Sequence, residues 1–200
     1  MLRWGSVLTV LCALSLTGLA RAGVIPFIND YEGFLEAAGD VQVIDFETLP
    51  DGSASYHRAP ITPEFSYTEE GVTFSSPFPE LLILDIGDFG LAAANPQTSE
   101  RNWIIAEFLT PATALGIFFP GGTTLSVFDA EESLLGSATF GGSGSGFFIG
   151  VISDVPIASA IGDRGSDADV WHSVHFTPVP EPVTLALLSV GGVTLLRRRH

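Results

Sequence analysis

The pattern of apolar and polar positions changes period once along the chain. In "NDYEGFLEAAGD", Tyr31, Phe34, Leu35 and Ala38 fall at i, i+3, i+4 and i+7, the spacing of one helical face. Asn29 stands where an N-cap belongs and Gly39 where a helix stops, so the stretch predicts one short helix. From Val41 onward the period is two. "VQVIDFE" sets Val41, Val43 and Asp45 against Gln42, Ile44 and Phe46, and the turn "LPDG" follows. "GVTFSS", "ELLILDI", "NWIIAEFL", "ALGIFF", "TLSVFDA", "LLGSATF", "GFFIGVIS", "PIASAIG" and "DVWHSVHF" read as further strands, and "GGSGSG" at 141–146 as a hairpin loop. Pro, Gly, Asp, Asn or Ser separates nearly every pair. About ten short strands at this spacing predict an all-β, two-sheet sandwich over residues 23–177, with no second domain.

The two ends break this pattern. Arg3, an apolar stretch from Val7 to Leu19 and the small-x-small site Ala20-Arg21-Ala22 have the form of a secretory signal peptide over residues 1–22. Cleavage is expected between Ala22 and Gly23, by the general secretion machinery. Cys12 is the only cysteine and falls inside that segment. The processed chain therefore has no disulfide, thiol nucleophile or Cys-ligated zinc. At the other end, Val183 to Leu196 is 14 residues without a charge, stopped by Arg197, Arg198 and Arg199. As a helix it reaches roughly 21 Å, short of the ~30 Å hydrocarbon core. A buried terminal helix would fit that length. The run is apolar all round, however, and its arginine flank suits a cytoplasmic end, so a short transmembrane helix is expected.

Charge narrows the partners. The chain has no lysine, and residues 23–179 hold 22 acidic side chains against three arginines, Arg58, Arg101 and Arg164. Such a surface repels nucleic acid and anionic lipid, whose binding depends on cationic side chains neutralising phosphate. Without lysine there is no phosphate-binding loop of the Walker type, and neither an H-E-x-x-H nor a G-x-S-x-G motif occurs. Paired carboxylates remain available in number, which keeps a small hydrolase open as a third reading. No cofactor is expected, with calcium as the alternative. Asp163, Asp167 and Asp169 lie close together around Gly165 in "IGDRGSDADVW", either as hard oxygen ligands or as a solvated turn.

If that stretch continues as one strand, Val170, His172, Val174 and Phe176 share one face, and Asp169, Trp171, Ser173 and His175 the other. With the first face in the core, Trp171 and His175 would form an aromatic and imidazole plate of the kind that stacks on sugars. The alternative packs Trp171 under a loop or against the second sheet. Trp103, at the end of "NPQTSERNW", and Tyr56 are further ligand candidates by the same logic.

Val179-Pro180-Glu181-Pro182, the short apolar run and the arginine cluster, in that order, resemble the PEP-CTERM sorting signal of bacterial exported proteins. The match covers residues 178–200. It implies recognition of Pro180, Glu181 and Pro182 by an exosortase-type membrane transpeptidase, transient anchoring in the inner membrane, and release or attachment at the cell surface. The segments "VIDFETLPDG", "GVTFSS", "ATALGIFFPGG", "GFFIGVIS" and "PIASAI" resemble the β-sandwich cargo often paired with such a tag, an architecture similar to jelly-roll carbohydrate-binding modules. The resemblance implies a structural or adhesive, non-enzymatic protein of the cell surface or extracellular polysaccharide matrix. A carbohydrate-binding module is the alternative.

Overall fold

Two pairs of segments that the sequence divides at proline are single long strands. In the computed structural model, which describes residues 23–62, 64–77, 81–87, 90–95, 103–119, 121–142, 146–165 and 169–179, "NWIIAEFL" and "ALGIFF" join as β7 (Ile104–Phe119). "GFFIGVIS" and "PIASAIG" join as β10 (Phe147–Asp163). The two pair antiparallel along most of their length. Pro111 and Pro156 are tolerated because both fall where the register shifts, between Ile152↔Ala114, Ile157↔Ala112 and Ser159↔Glu107. A residue without an N–H costs no ladder bond in a bulge.

The other described elements, in chain order, are β1 (Val24–Ile28), α1 (Tyr31–Ala38), β2 (Gln42–Ile44), β3 (Ala59–Ile61), β4 (Val72–Ser75), β5 (Leu81–Asp85) and β6 (Leu91–Asn95). After β7 come β8 (Thr123–Phe128) and β9 (Leu134–Phe140), and after β10 come β11 (Asp169–Trp171) and β12 (Ser173–Pro178). β1, β3 and β6 were not anticipated. Their sequences "VIPFI", "API" and "LAAAN" carry little alternation of their own. One sheet runs β2-β12-β7-β10-β8-β9, with β1 on β10 and β4 on β7; a second runs β11-β6-β5-β3. Ile83, Ala93 and Trp171 from the small sheet meet Phe74, Ile104, Leu125 and Ile149 from the large one in a shared core. This is the two-sheet sandwich expected from the period of two.

The helix forms where predicted, with a different cap. Asp30, not Asn29, is the N-cap, its Oδ1 accepting from Gly33 N at 3.0 Å. Asn29 instead adopts φ 52°, and its side chain accepts from Phe148 N at 3.2 Å, tying the helix entry to β10. Gly39 terminates the helix as expected. The helix packs on the outer face of the large sheet through Phe34, which is fully buried against Phe148. Gly116 and Gly150, paired across β7 and β10, leave the space for these rings. A Cβ on Gly116 would lie 2.5 Å from Phe148, and one on Gly150 2.8 Å from Phe34.

The signal residues, Ala20 and Ala22 among them, lie outside the described residues, as do Pro180, Glu181, Pro182 and Arg197 to Arg199. No helix among the described residues is long and apolar enough to cross a membrane. Val179, the last of the described residues, donates its N–H to Pro111 O at 2.7 Å.

Candidate functional site

Where β8 and β9 meet the turn that follows β10, the surface opens into a cleft of about 510 Å³. Its lining includes a cross-strand pair: Thr124 and Thr139 face each other in the β8–β9 register, with hydroxyls 3.1 Å apart. Asp163, at the end of β10, pairs with Thr124 and opens the turn Asp163-Arg164-Gly165, held by Gly165 N donating to Asp163 Oδ1 at 2.7 Å. Phe140, Gly141 and Gly142 also line the cleft. The Phe140 ring is braced by Phe147, with centroids 4.3 Å apart, and by Phe119 behind it at 6.1 Å. The cleft thus joins a guanidinium, a carboxylate, two hydroxyls and an aromatic ring. These are the groups that orient polyhydroxylated ligands.

Asp169 lies beneath this cleft and is not presented to it. It is 1% exposed. Trp171 Nε1 donates to its Oδ2 at 3.1 Å, while Val170 N and Thr123 Oγ1 donate to its Oδ1. Burial pushes the carboxyl up to about 7, against the pull of these hydrogen bonds. Trp171 is 0% exposed and stacks edge-on against Phe74. Gly162 makes room for the pair, since a Cβ there would lie 2.5 Å from the indole and 2.7 Å from Asp169 Oδ2.

The aromatic plate expected from Trp171 and His175 is therefore corrected. The strand "DVWHSVHF" breaks at His172. β11 pairs with β6 in the small sheet, and β12 with β7 in the large one. Crossing between two facing sheets reverses the parity that looks inward. Trp171 faces the shared core, as do Val174 and Phe176, whereas Val170 packs on the far side of the small sheet. His175 turns to the opposite face, 5% exposed beneath the helix. There its Nδ1 lies 3.3 Å from Tyr31 Oη and its Nε2 3.0 Å from Ser173 Oγ. Burial, and secondarily the charge of nearby His172, pushes His175 down to about 4, so it is neutral at physiological pH.

The remaining candidates do not converge on the cleft. Tyr56 is 57% exposed, and its neighbour His57 accepts from Asp85 N at 3.1 Å. Trp103 is half-buried, at the edge of a loop outside the described residues. Of the proposed calcium ligands, Asp163 lines the cleft, Asp169 is buried against Trp171, and Asp167 lies outside the described residues. No group of three or more metal-binding side chains occurs among the described residues. Sequence reasoning missed Arg164, Thr124, Thr139 and Phe140 as site residues. Only the β8–β9 register brings the two threonines together, and a lone arginine in "GDRG" gives no pattern to find.

No family model and no curated protein matches the chain. Among solved structures, a mutant of the lectin binding domain of Lectinolysin complexed with Lewis b aligns over 70% of this chain and 92% of its own, at 9% identity and TM-score 0.30. Capsular polysaccharide assembling protein CapF from Staphylococcus aureus aligns over 52% of this chain and 30% of its own, at 12% identity and TM-score 0.22. The enzymatically active domain of bacteriophage CBA120 tailspike protein 4 aligns over 72% and 20%, at 11% identity and TM-score 0.23. Likeness at this level transfers neither a ligand nor an activity.

Proposed function

We propose that this chain is an exported, non-enzymatic β-sandwich protein, similar to jelly-roll carbohydrate-binding modules. Its place of work is the cell surface or extracellular polysaccharide matrix, and it adheres there by holding a carbohydrate in the Arg164 cleft. The observation that carries this reading is the cleft itself, whose lining combines Arg164, Asp163, the paired hydroxyls of Thr124 and Thr139, and Phe140. The wide excess of carboxylates over arginines in the domain favours neutral or amino sugars over anionic ones. On a glycan array the protein is expected to bind a neutral or amino-sugar oligosaccharide. Arg164→Ala is expected to weaken that binding tenfold or more, because a charge-assisted hydrogen bond contributes about 1.5–3 kcal/mol. Asp163→Asn is expected to weaken it less, keeping one acceptor for Gly165 N, and neither variant should move the melting temperature by more than a few degrees. A parent protein that leaves the array blank would overturn the carbohydrate reading.

Delivery rests on the tail. The Pro180-Glu181-Pro182 box, the short apolar run and the arginine cluster act as a PEP-CTERM signal, read by an exosortase-type transpeptidase after transient anchoring in the inner membrane. The intact mass of the protein recovered from its own cells is expected to end near the box. A mass retaining the chain to His200 would make the tail a permanent anchor and remove this reading.

A further inference from the structure

Asp154 in β10 lies opposite Gly23, one position beyond the Val24↔Ser153 pair that begins the β1–β10 register. Gly23 N donates to Asp154 Oδ1 at 2.7 Å, and Asp154 N donates back to Gly23 O at 3.3 Å. The carboxylate thus grips the residue just before the first strand, which then runs antiparallel to β10 from Val24↔Ser153 to Ile28↔Ile149. The site is close-fitting: a Cβ at position 23 would lie 3.1 Å from Asp154 Oδ2. Gly23 is also the residue at which the signal-peptide reading places the mature N-terminus.

From this coincidence we propose that Asp154 is a receptor for the N-terminal ammonium created by processing. Hydrolysis of the Ala22–Gly23 peptide bond adds water across it, leaving a carboxylate on Ala22 and an amine on Gly23 that takes up a proton. The neutral amide hydrogen bond to Asp154 then becomes an ammonium–carboxylate ion pair at the same position. In the unprocessed chain Asp154 holds only an amide, so the ion pair forms only when the leader is removed. It clamps the free end of a strand at the moment that end is made. The inference rests on leader removal after Ala22.

The composition supplies a clean test. The chain has no lysine, so a chain beginning at Gly23 carries one primary amine, the N-terminus itself. A fusion cut to leave Gly23 first gives that chain without depending on the export pathway. Its amine is then acylated competitively against a free glycyl peptide across pH 6 to 10. An unperturbed α-amino group titrates at about 7.7–8.0. The ion pair is expected to raise that value by about half a unit to one unit, making the amine roughly three- to tenfold less reactive near neutral pH. Asp154→Asn should return both to normal, whereas Glu64→Gln, which removes the same charge from the β3–β4 loop, should not. Equal reactivity in the parent and Asp154→Asn chains would overturn the proposal. Separately, the first residue of the protein recovered from cells decides the reading beneath it. Gly23 supports both, and any other start withdraws the processing step while leaving the titration result to stand on its own.

Discussion

Trp171→Ala is expected to destabilise the domain by about 3–5 kcal/mol, the range for truncating a large aromatic in a core. Much of the 5–15 kcal/mol available to an ordinary domain would be lost. The indole is fully buried between the sheets, edge-on to Phe74, in the space left open by Gly162. Its removal leaves a cavity and also deprives the buried Asp169 Oδ2 of its indole donor. Trp171→Phe keeps most of the ring volume but not the N–H, so a smaller loss is expected. The measurement is urea denaturation of each variant followed by tyrosine and far-ultraviolet signals. A Trp171→Ala protein that melts like the parent but loses glycan binding would contradict the burial and restore this residue to a ligand site. The expected result is the reverse, with binding lost only in step with unfolding.

The second large effect is a pair of opposing pH dependences. Asp169 titrates near 7 in the fold and near 3.8 when unfolded. Between those values the folded state holds the extra proton, so stability falls as pH rises. The cost is absent below the lower value and complete above the upper one, about 4 kcal/mol over the window. His175 is displaced the other way, to about 4 from 6.5. There the unfolded state binds the extra proton, so stability rises with pH across the same interval and levels off above 6.5. From about pH 4 to 6.5 the two slopes oppose each other, and above 6.5 only the Asp169 fall continues. Removing one group exposes the other. Relative to the parent, Asp169→Asn is expected to gain stability as pH rises from 4 to 7, and His175→Gln to lose it from 4 to 6.5. Melting temperatures of the three proteins at half-unit pH intervals check both signs. Parallel curves would mean that neither group changes its proton affinity on folding.

The fold was more legible in the sequence than the site, and particular residues show why. Helix α1 was readable because its face, cap and stop are all local; even the error between Asn29 and Asp30 was a shift of one position. The strands β4, β5, β8 and β9 were readable from alternation or from short apolar runs between turn residues. β3 and β6 were not, because "API" and "LAAAN" become strands only by pairing with β5. β7 and β10 were cut in two at Pro111 and Pro156, since a proline ends a strand in the absence of a bulge to receive it.

By itself the sequence determined the class of fold, the place and end of the helix, and the lack of lysine and of cysteine outside residues 1–22. All follow from local periodicity, turn chemistry and composition, which need no partner in space. Only the tertiary structure decided what the chemically interesting side chains do. It bent the chain at His172 and passed it from one sheet to the other, which reversed the inward parity, buried Trp171 with Asp169 and turned His175 under the helix. It also set Thr124 against Thr139 beside Arg164, and Gly23 against Asp154. Each of these joins residues far apart in sequence or reorients neighbours through a change of sheet. A pattern read along one strand cannot carry that information, because the direction of the core is a property of both sheets together.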